Sequence, residues 1–114
     1  MSKRRVVVTG LGIVSPVGNT VSAAWENIIS GKSGITRITR FDASNFASQI
    51  AGEVKDFDIQ QYLSVKEARR MDIFIHYGMA AAIQAIKDAG IEDVTHFDSE
   101  RIGVNIGSGI GGLP

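Results

Sequence analysis

Residues 101–114 read RIGVNIGSGIGGLP, and the fold turns on how that stretch is understood. Ile102, Val104 and Ile106 form an apolar run of the kind that makes a buried strand. It opens into Gly107, Ser108, Gly109, Ile110, Gly111 and Gly112, a loop with almost no side chain. Such a loop lets backbone come close to something. A glycine-rich exit from a buried strand is where α/β proteins place ligands, outside the carboxyl ends of the strands.

Working outward, the partner expected for that strand is Arg5-Val-Val-Val-Thr9, which is β-branched and apolar on both faces. That composition suits a largely parallel sheet covered by helices on both sides. Gly10-Leu-Gly12 ends the run and Ser15-Pro-Val-Gly18 makes a turn. Thr20 then caps a helix whose apolar residues Val21, Ala24, Trp25, Ile28 and Ile29 share one stripe, with Gly31 closing it. Between Gly34 and Leu63 the pattern weakens; Ser48–Val54 reads as a short, half-exposed strand and Asp58–Leu63 as one helical turn.

Ser64-Val-Lys-Glu67 has the spacing of a capping box, and the helix it opens is expected to run to Ala89, closed by Gly90. From Met71 to Ile86 apolar residues occupy nearly every side, the mark of a helix buried between layers. Two or three strands and one other helix cannot surround it. The expectation is that the chain is part of a larger layered protein, with further layers following Pro114. The polar connection Ile91–Glu100 leads into the second strand.

The 114 residues have the length of one domain, and 44% hydrophobic content suffices for a real core. Twelve basic and twelve acidic residues cancel, so neither nucleic acid nor an anionic membrane is suggested as a partner. No stretch approaches the ~20 apolar residues that span a bilayer. Lys3-Arg4-Arg5 before an apolar stretch imitates a secretory signal, but Gly10, Gly12 and Pro16 interrupt it. There is no cysteine, which removes disulfides, thiolate metal sites and the commonest nucleophile for acyl transfer. A cytoplasmic address fits.

Gly107-Ser-Gly-Ile-Gly-Gly112 satisfies the dinucleotide pattern G-x-G-x-x-G, but the helix and the later acidic residue that complete the fingerprint would lie beyond Pro114. A structural turn outweighs a nucleotide loop. Gly31-Lys32-Ser33 resembles the end of a phosphate loop, yet Glu26 stands where the first glycine is required. His76, within the apolar helix, and His96, in the polar connection, do not pair; a packed and a solvated histidine are the simpler readings. Lys66, Arg69 and Arg70 stand at i, i+3 and i+4 in the first turns of the long helix. Cations there oppose the macrodipole, so something other than helix stability places them. They form either a solvated face partly neutralised by Glu67 and Asp72, or a docking patch for an acidic protein or a phosphate group.

Taken together, VVVTGLGIVSPVGN (6–19), SGKSGI (30–35), FDAS (41–44), AGEVKDFD (51–58), KEARRMDIF (66–74) and RIGVNIGSGIGG (101–112) resemble the opening of a β-ketoacyl-acyl carrier protein synthase, of the type II elongating branch of bacterial fatty acid synthesis. The resemblance covers essentially all of this chain but only the leading part of the family's length. It implies an α/β fold of the thiolase-like type, layered α-β-α-β-α from two duplicated halves, usually a homodimer. Residues 1–114 would be the N-terminal part of the first half. The reaction implied is a decarboxylative Claisen condensation of acyl groups with malonyl-acyl carrier protein, using a cysteine and two histidines that this stretch does not supply, so the fragment alone is expected to be inactive. No cofactor of its own is implied; the phosphopantetheine arm is carried by the partner acyl carrier protein. By the resemblance, Lys66, Arg69 and Arg70 contact that partner and its phosphate, and Ile110 forms the far wall of the acyl pocket near the dimer interface. Two alternatives stay open: a stand-alone carrier-protein docking module and, with less in its favour, a dinucleotide-binding α/β domain.

Overall fold

The computed structural model describes residues 3–113. Its elements are helix α1 (Val21–Ile29), strands β1 (Ile35–Arg37) and β2 (Ile50–Gly52), a four-residue helix α2 (Val65–Ala68) and the long helix α3 (Ile73–Ala89), with single 3-10 turns at Ile59–Gln61, Val94–His96 and Ser99–Arg101.

Local chemistry sets most of these boundaries. The Thr20 side chain accepts from the Ala23 amide at 3.3 Å and starts α1. Gly31, at φ 70°, takes the left-handed turn that ends it. Ser15 and Gly18 exchange backbone hydrogen bonds of 3.0 and 3.1 Å around Pro16-Val17, the turn expected there. β2 falls inside the anticipated Ser48–Val54 segment. Its antiparallel partner β1, with Ile35 opposite Gly52 and Arg37 opposite Ile50, was not anticipated, because three residues are too few to show a period. Asp58 caps the turn at Ile59–Gln61 through the Gln60 amide at 2.9 Å.

Two expectations need correction. The long helix does not run unbroken from Ser64. The Ser64–Glu67 capping box is present, but the helix it opens ends at Ala68, and Asp72, with extended backbone (ψ 160°), begins α3 anew. Asp72 stands at the N-cap position without a side-chain cap hydrogen bond, and the break falls in the charged stretch Lys66–Asp72, before the apolar residues of α3 begin. The second correction concerns the strands. Arg5–Thr9 and Ile102–Ile106 run as irregular chain, belong to no ladder among the described residues and do not pair with each other. Val6 is 91% exposed and Val104 83%. A parallel strand needs a neighbour brought by a long crossover, and composition alone cannot supply one.

The N-terminal segment instead lies along α3. Gly10 and Gly12 sit so close to the helix that a Cβ on either would overlap the carbonyl oxygens of Ala85 and Ala81 respectively. Alanine at 81, 85 and 89 keeps that face of α3 low. The strand-side amides are answered from the helix: Leu11 donates to Asp88 Oδ2 at 2.9 Å and Ile13 to Gln84 Oε1 at 3.4 Å. Gln84 Nε2 in turn donates to Ile13 O (3.2 Å), Asn19 O (2.9 Å) and Tyr62 Oη (3.0 Å).

α3 is covered on one side only, as expected of a helix apolar all round with too few layers about it. Ala80 is fully buried, whereas Ile73 is 47% exposed, and Phe74, Ile75 and Ile86 are exposed with it. The Cα radius of gyration is 17.4 Å, against ~13 Å for a compact domain of about 100 residues.

Candidate functional site

The break before α3 resets the surroundings of the three cations. Lys66 lies in the only turn of α2, Arg69 caps its C-terminal end and Arg70 follows it. Arg69 and Arg70 therefore stand at and just past the C-terminal end of a short helix rather than in the opening turns of a long one, where a cation does not oppose the helix dipole; Lys66 is in its single turn. The winding continues through them, since Arg70 N donates to Glu67 O at 3.0 Å and Met71 N to Ala68 O at 3.2 Å. All three side chains are exposed.

Among the described residues none of the three lies within 4 Å of a carboxylate; the one contact that close between a basic and an acidic side chain is His96 Nε2 with Asp93 Oδ2, at 3.5 Å, ionic only when the ring is protonated. Glu67 is occupied elsewhere, its carboxylate accepting from Ser64 Oγ at 2.6 Å and Ser64 N at 3.1 Å. Those bonds, the hydroxyl's above all, hold the Glu67 carboxyl below its ordinary value.

Immediately along α3 lies an open apolar cleft of about 440 Å³, between Phe74, Tyr77, Gly78 and Met79 on the helix and Ile106, Gly107 and Ser108 of the terminal stretch. Gly78 faces Ile106, where a Cβ would make only ordinary contact at 3.8 Å, whereas Gly111 lies against the Phe74 ring, where a Cβ would come within 2.6 Å of Cζ. Ile110 is not brought into this cleft; it stands beyond its rim, 78% exposed. The terminal glycines close against α3, Gly111 on Phe74 and Gly112 beside the Asp72 carboxylate.

The histidines stay apart. His76 Nε2 lies 2.9 Å from Ala68 O, and His96 is solvated beside Asp93. Among the described residues no three His, Cys, Asp or Glu side chains converge as metal ligands, and no helix is long and apolar enough to cross a membrane. Sequence reasoning overlooked a polar node on the other side of α3. Glu53 accepts from Thr39 Oγ1 (2.8 Å), Thr39 N (3.1 Å) and Arg40 N (3.3 Å), and Arg40 Nη2 donates to Tyr77 Oη at 2.8 Å. The Thr39 hydroxyl is the main reason the Glu53 carboxyl lies below its ordinary value.

The fold that carries this basic segment and cleft superposes on known ketosynthases. The ishigamide ketosynthase/chain length factor superposes with a TM-score of 0.67 at 35% identity, over 79% of this chain and 22% of that one. AntDE:AntF, a type II PKS acyl-carrier protein in complex with its ketosynthase bound to the hexaketide, gives a TM-score of 0.62 at 30% identity, over 83% and 24%. The fold class is thus α/β, of the ketosynthase, thiolase-like type.

The family model for the β-ketoacyl synthase N-terminal domain matches residues 3–113, and the chain belongs to that family. The 3-oxoacyl-[acyl-carrier-protein] synthase 2 of Vibrio harveyi is 59% identical over 113 residues, 99% of this chain. That of Coxiella burnetii is 54% identical over 114 residues. The chain spans 27% of the length of each of these relatives.

Proposed function

We propose that residues 1–114 are the opening part of the first half of an elongating β-ketoacyl-acyl carrier protein synthase, a cytoplasmic homodimer when whole, acting in fatty acid chain elongation. In that reaction an enzyme cysteine exchanges its thiol proton for an acyl group. Malonyl-carrier protein then loses carbon dioxide, and its carbanion attacks the acyl thioester, releasing the cysteine as the 3-oxoacyl-carrier product forms. Two histidines, assisted by a lysine, stabilise charge on the carbonyl oxygens. These 114 residues contain no cysteine, and neither His76 nor His96 corresponds to the catalytic pair. By this reading the chain alone condenses nothing; its part is to receive the partner and to wall the acyl cleft, with no cofactor of its own.

The observation that carries the proposal is the row Lys66, Arg69 and Arg70, exposed and, among the described residues, without a carboxylate within 4 Å, just before the helix that lines the apolar cleft. An acidic acyl carrier protein would dock there with its phosphopantetheine phosphate toward the arginines and the acyl chain toward the cleft. Ile110, with glycines on both sides, would form the far wall of the acyl pocket near the dimer interface. The test is the triple reversal Lys66→Glu, Arg69→Glu, Arg70→Glu in the complete enzyme. Carrier-protein binding, strong at low salt and weaker as salt rises, should be abolished; binding that survives the reversal overturns the docking assignment. Ile110→Phe should shorten the longest acyl group accepted, and an unchanged chain-length profile would remove Ile110 from the pocket.

A further inference from the structure

We propose that His76 is the positioning residue that holds the basic segment in shape for its partner, an inference that rests on the docking reading above. α2 is one turn long, and a single turn has little stability of its own. Its N-terminal end is closed by the Ser64–Glu67 box. Its C-terminal end leaves carbonyls that need partners. Ala68 O receives Met71 N at a long 3.2 Å, and its second lone pair is met by His76 Nε2 at 2.9 Å. Ala68 is 8% exposed, so water has little access to take the ring's place.

A carbonyl oxygen can only accept, so Nε2 must carry the proton. The same residue's backbone amide donates to Asp72 O at 3.2 Å. His76 thus grips the chain at two carbonyls, Ala68 and Asp72, and the turn carrying Arg69, Arg70 and Met71 is stretched between them. Because His76 belongs to the first turn of α3, it ties this turn to the helix that also walls the apolar cleft. Removing the ring changes no charge in the patch, yet it lets the end of α2 fray and the cations lose their fixed spacing. Docking then has to order them at each encounter.

The complete enzyme is assayed with an acyl-carrier protein substrate and with a small acyl-pantetheine thioester lacking the carrier. His76→Leu is expected to raise KM for the carrier-borne substrate roughly two- to tenfold, the weight of one hydrogen bond, while kcat and turnover of the small thioester hold. His76→Gln, which retains an N–H donor, should restore the KM. An unchanged KM in His76→Leu, an equal loss on both substrates, or no rescue by Gln would overturn the assignment. Should His76→Leu not fold, nitrogen NMR of histidine-labelled wild-type enzyme decides: the Nε2-protonated ring supports the proposal and an Nδ1-protonated tautomer refutes it. The charge reversal of Lys66, Arg69 and Arg70 separates the two ideas. If it leaves KM untouched, the docking reading fails; if it raises KM while His76→Leu does not, His76 alone is dismissed.

Discussion

The hairpin region around Pro16 and the two apolar runs at Arg5–Thr9 and Ile102–Ile106 are rich in the same residue types, yet one closes on itself and the other does not. Gly34 and Gly52 lie against the Pro16 ring, each so near that a Cβ would come within 3 Å of it. Asn27 Nδ2 donates to Val17 O at 2.6 Å and Lys55 Nζ to Gly34 O at 3.0 Å. Turn, helix and antiparallel hairpin thus find partners within a few dozen residues. Among the described residues neither run pairs with a strand: Val6, Val7, Val8 and Val104 are exposed, and Ile106 meets the cleft side of α3 instead. An antiparallel ladder can be completed by a tight turn, whereas a parallel one waits for chain arriving from far away.

The comparison breaks most visibly if the 114 residues are prepared alone. With Val6, Val104 and one side of α3 uncovered, they should self-associate or precipitate. Sedimentation velocity checks this, and a monodisperse monomer with a sharp melting transition would mean that the runs need no partner. The next effect sharpens the contrast within the complete enzyme. Gly12→Ala places a methyl against the Ala81 carbonyl and should cost about 1–3 kcal/mol, the usual penalty of overpacking, read as a lowered denaturation midpoint. Gln84→Leu strips partners from Ile13, Asn19 and Tyr62 together and should cost about 1–3 kcal/mol. If it costs nothing, the Ile13–Asn19 segment is not held to α3 by that amide.

Where partners are local, the sequence was readable. The Thr20 cap, the Ser15–Gly18 turn, the Ser64–Glu67 box and the Gly90 terminus (φ 68°) all stand where their residue types put them. The break at Arg69–Asp72 was not legible, because the residues there carry no glycine or proline, and Asp72 closes the turn by its extended backbone rather than by a side-chain cap. Gln84 did leave a signal: it is an amide among alanines and isoleucines, with Asp88 four residues on, on the face that meets the Gly10–Ile13 backbone. For the site, the identity of the three cations was apparent from their spacing, but their setting at the end of a broken helix was not. Ile110 could not be placed from sequence, since a residue flanked by glycine has no periodicity to orient it, and the structure leaves it outside the cleft.

The smallest expected effect lies at the capping box, and it is one of pH. The Glu67 carboxyl is held below its ordinary value chiefly by the Ser64 hydroxyl and then by the Ser64 amide, with slight burial opposing them. A carboxyl lowered on folding contributes stability that is complete above its unfolded value, near 4.5, and is lost as pH falls through the lower folded one. Ser64→Ala removes the principal cause, so part of the loss of stability on acidification should disappear along with some stability near neutrality. Glu67→Gln keeps a side chain able to complete the box but has nothing to titrate, so it should flatten the acid response with less loss at neutral pH. Asp42, Glu53 and Asp93 are likewise held low by Ser44, Thr39 and Thr95, so neither variant abolishes acid sensitivity. The informative quantity is the difference between each variant and the parent in denaturation midpoints measured above and below the carboxylate range. If that difference is the same at both pH values, the box is not sensed by protons, and the α2 end of the locally closed region is no better fixed than the runs beside it.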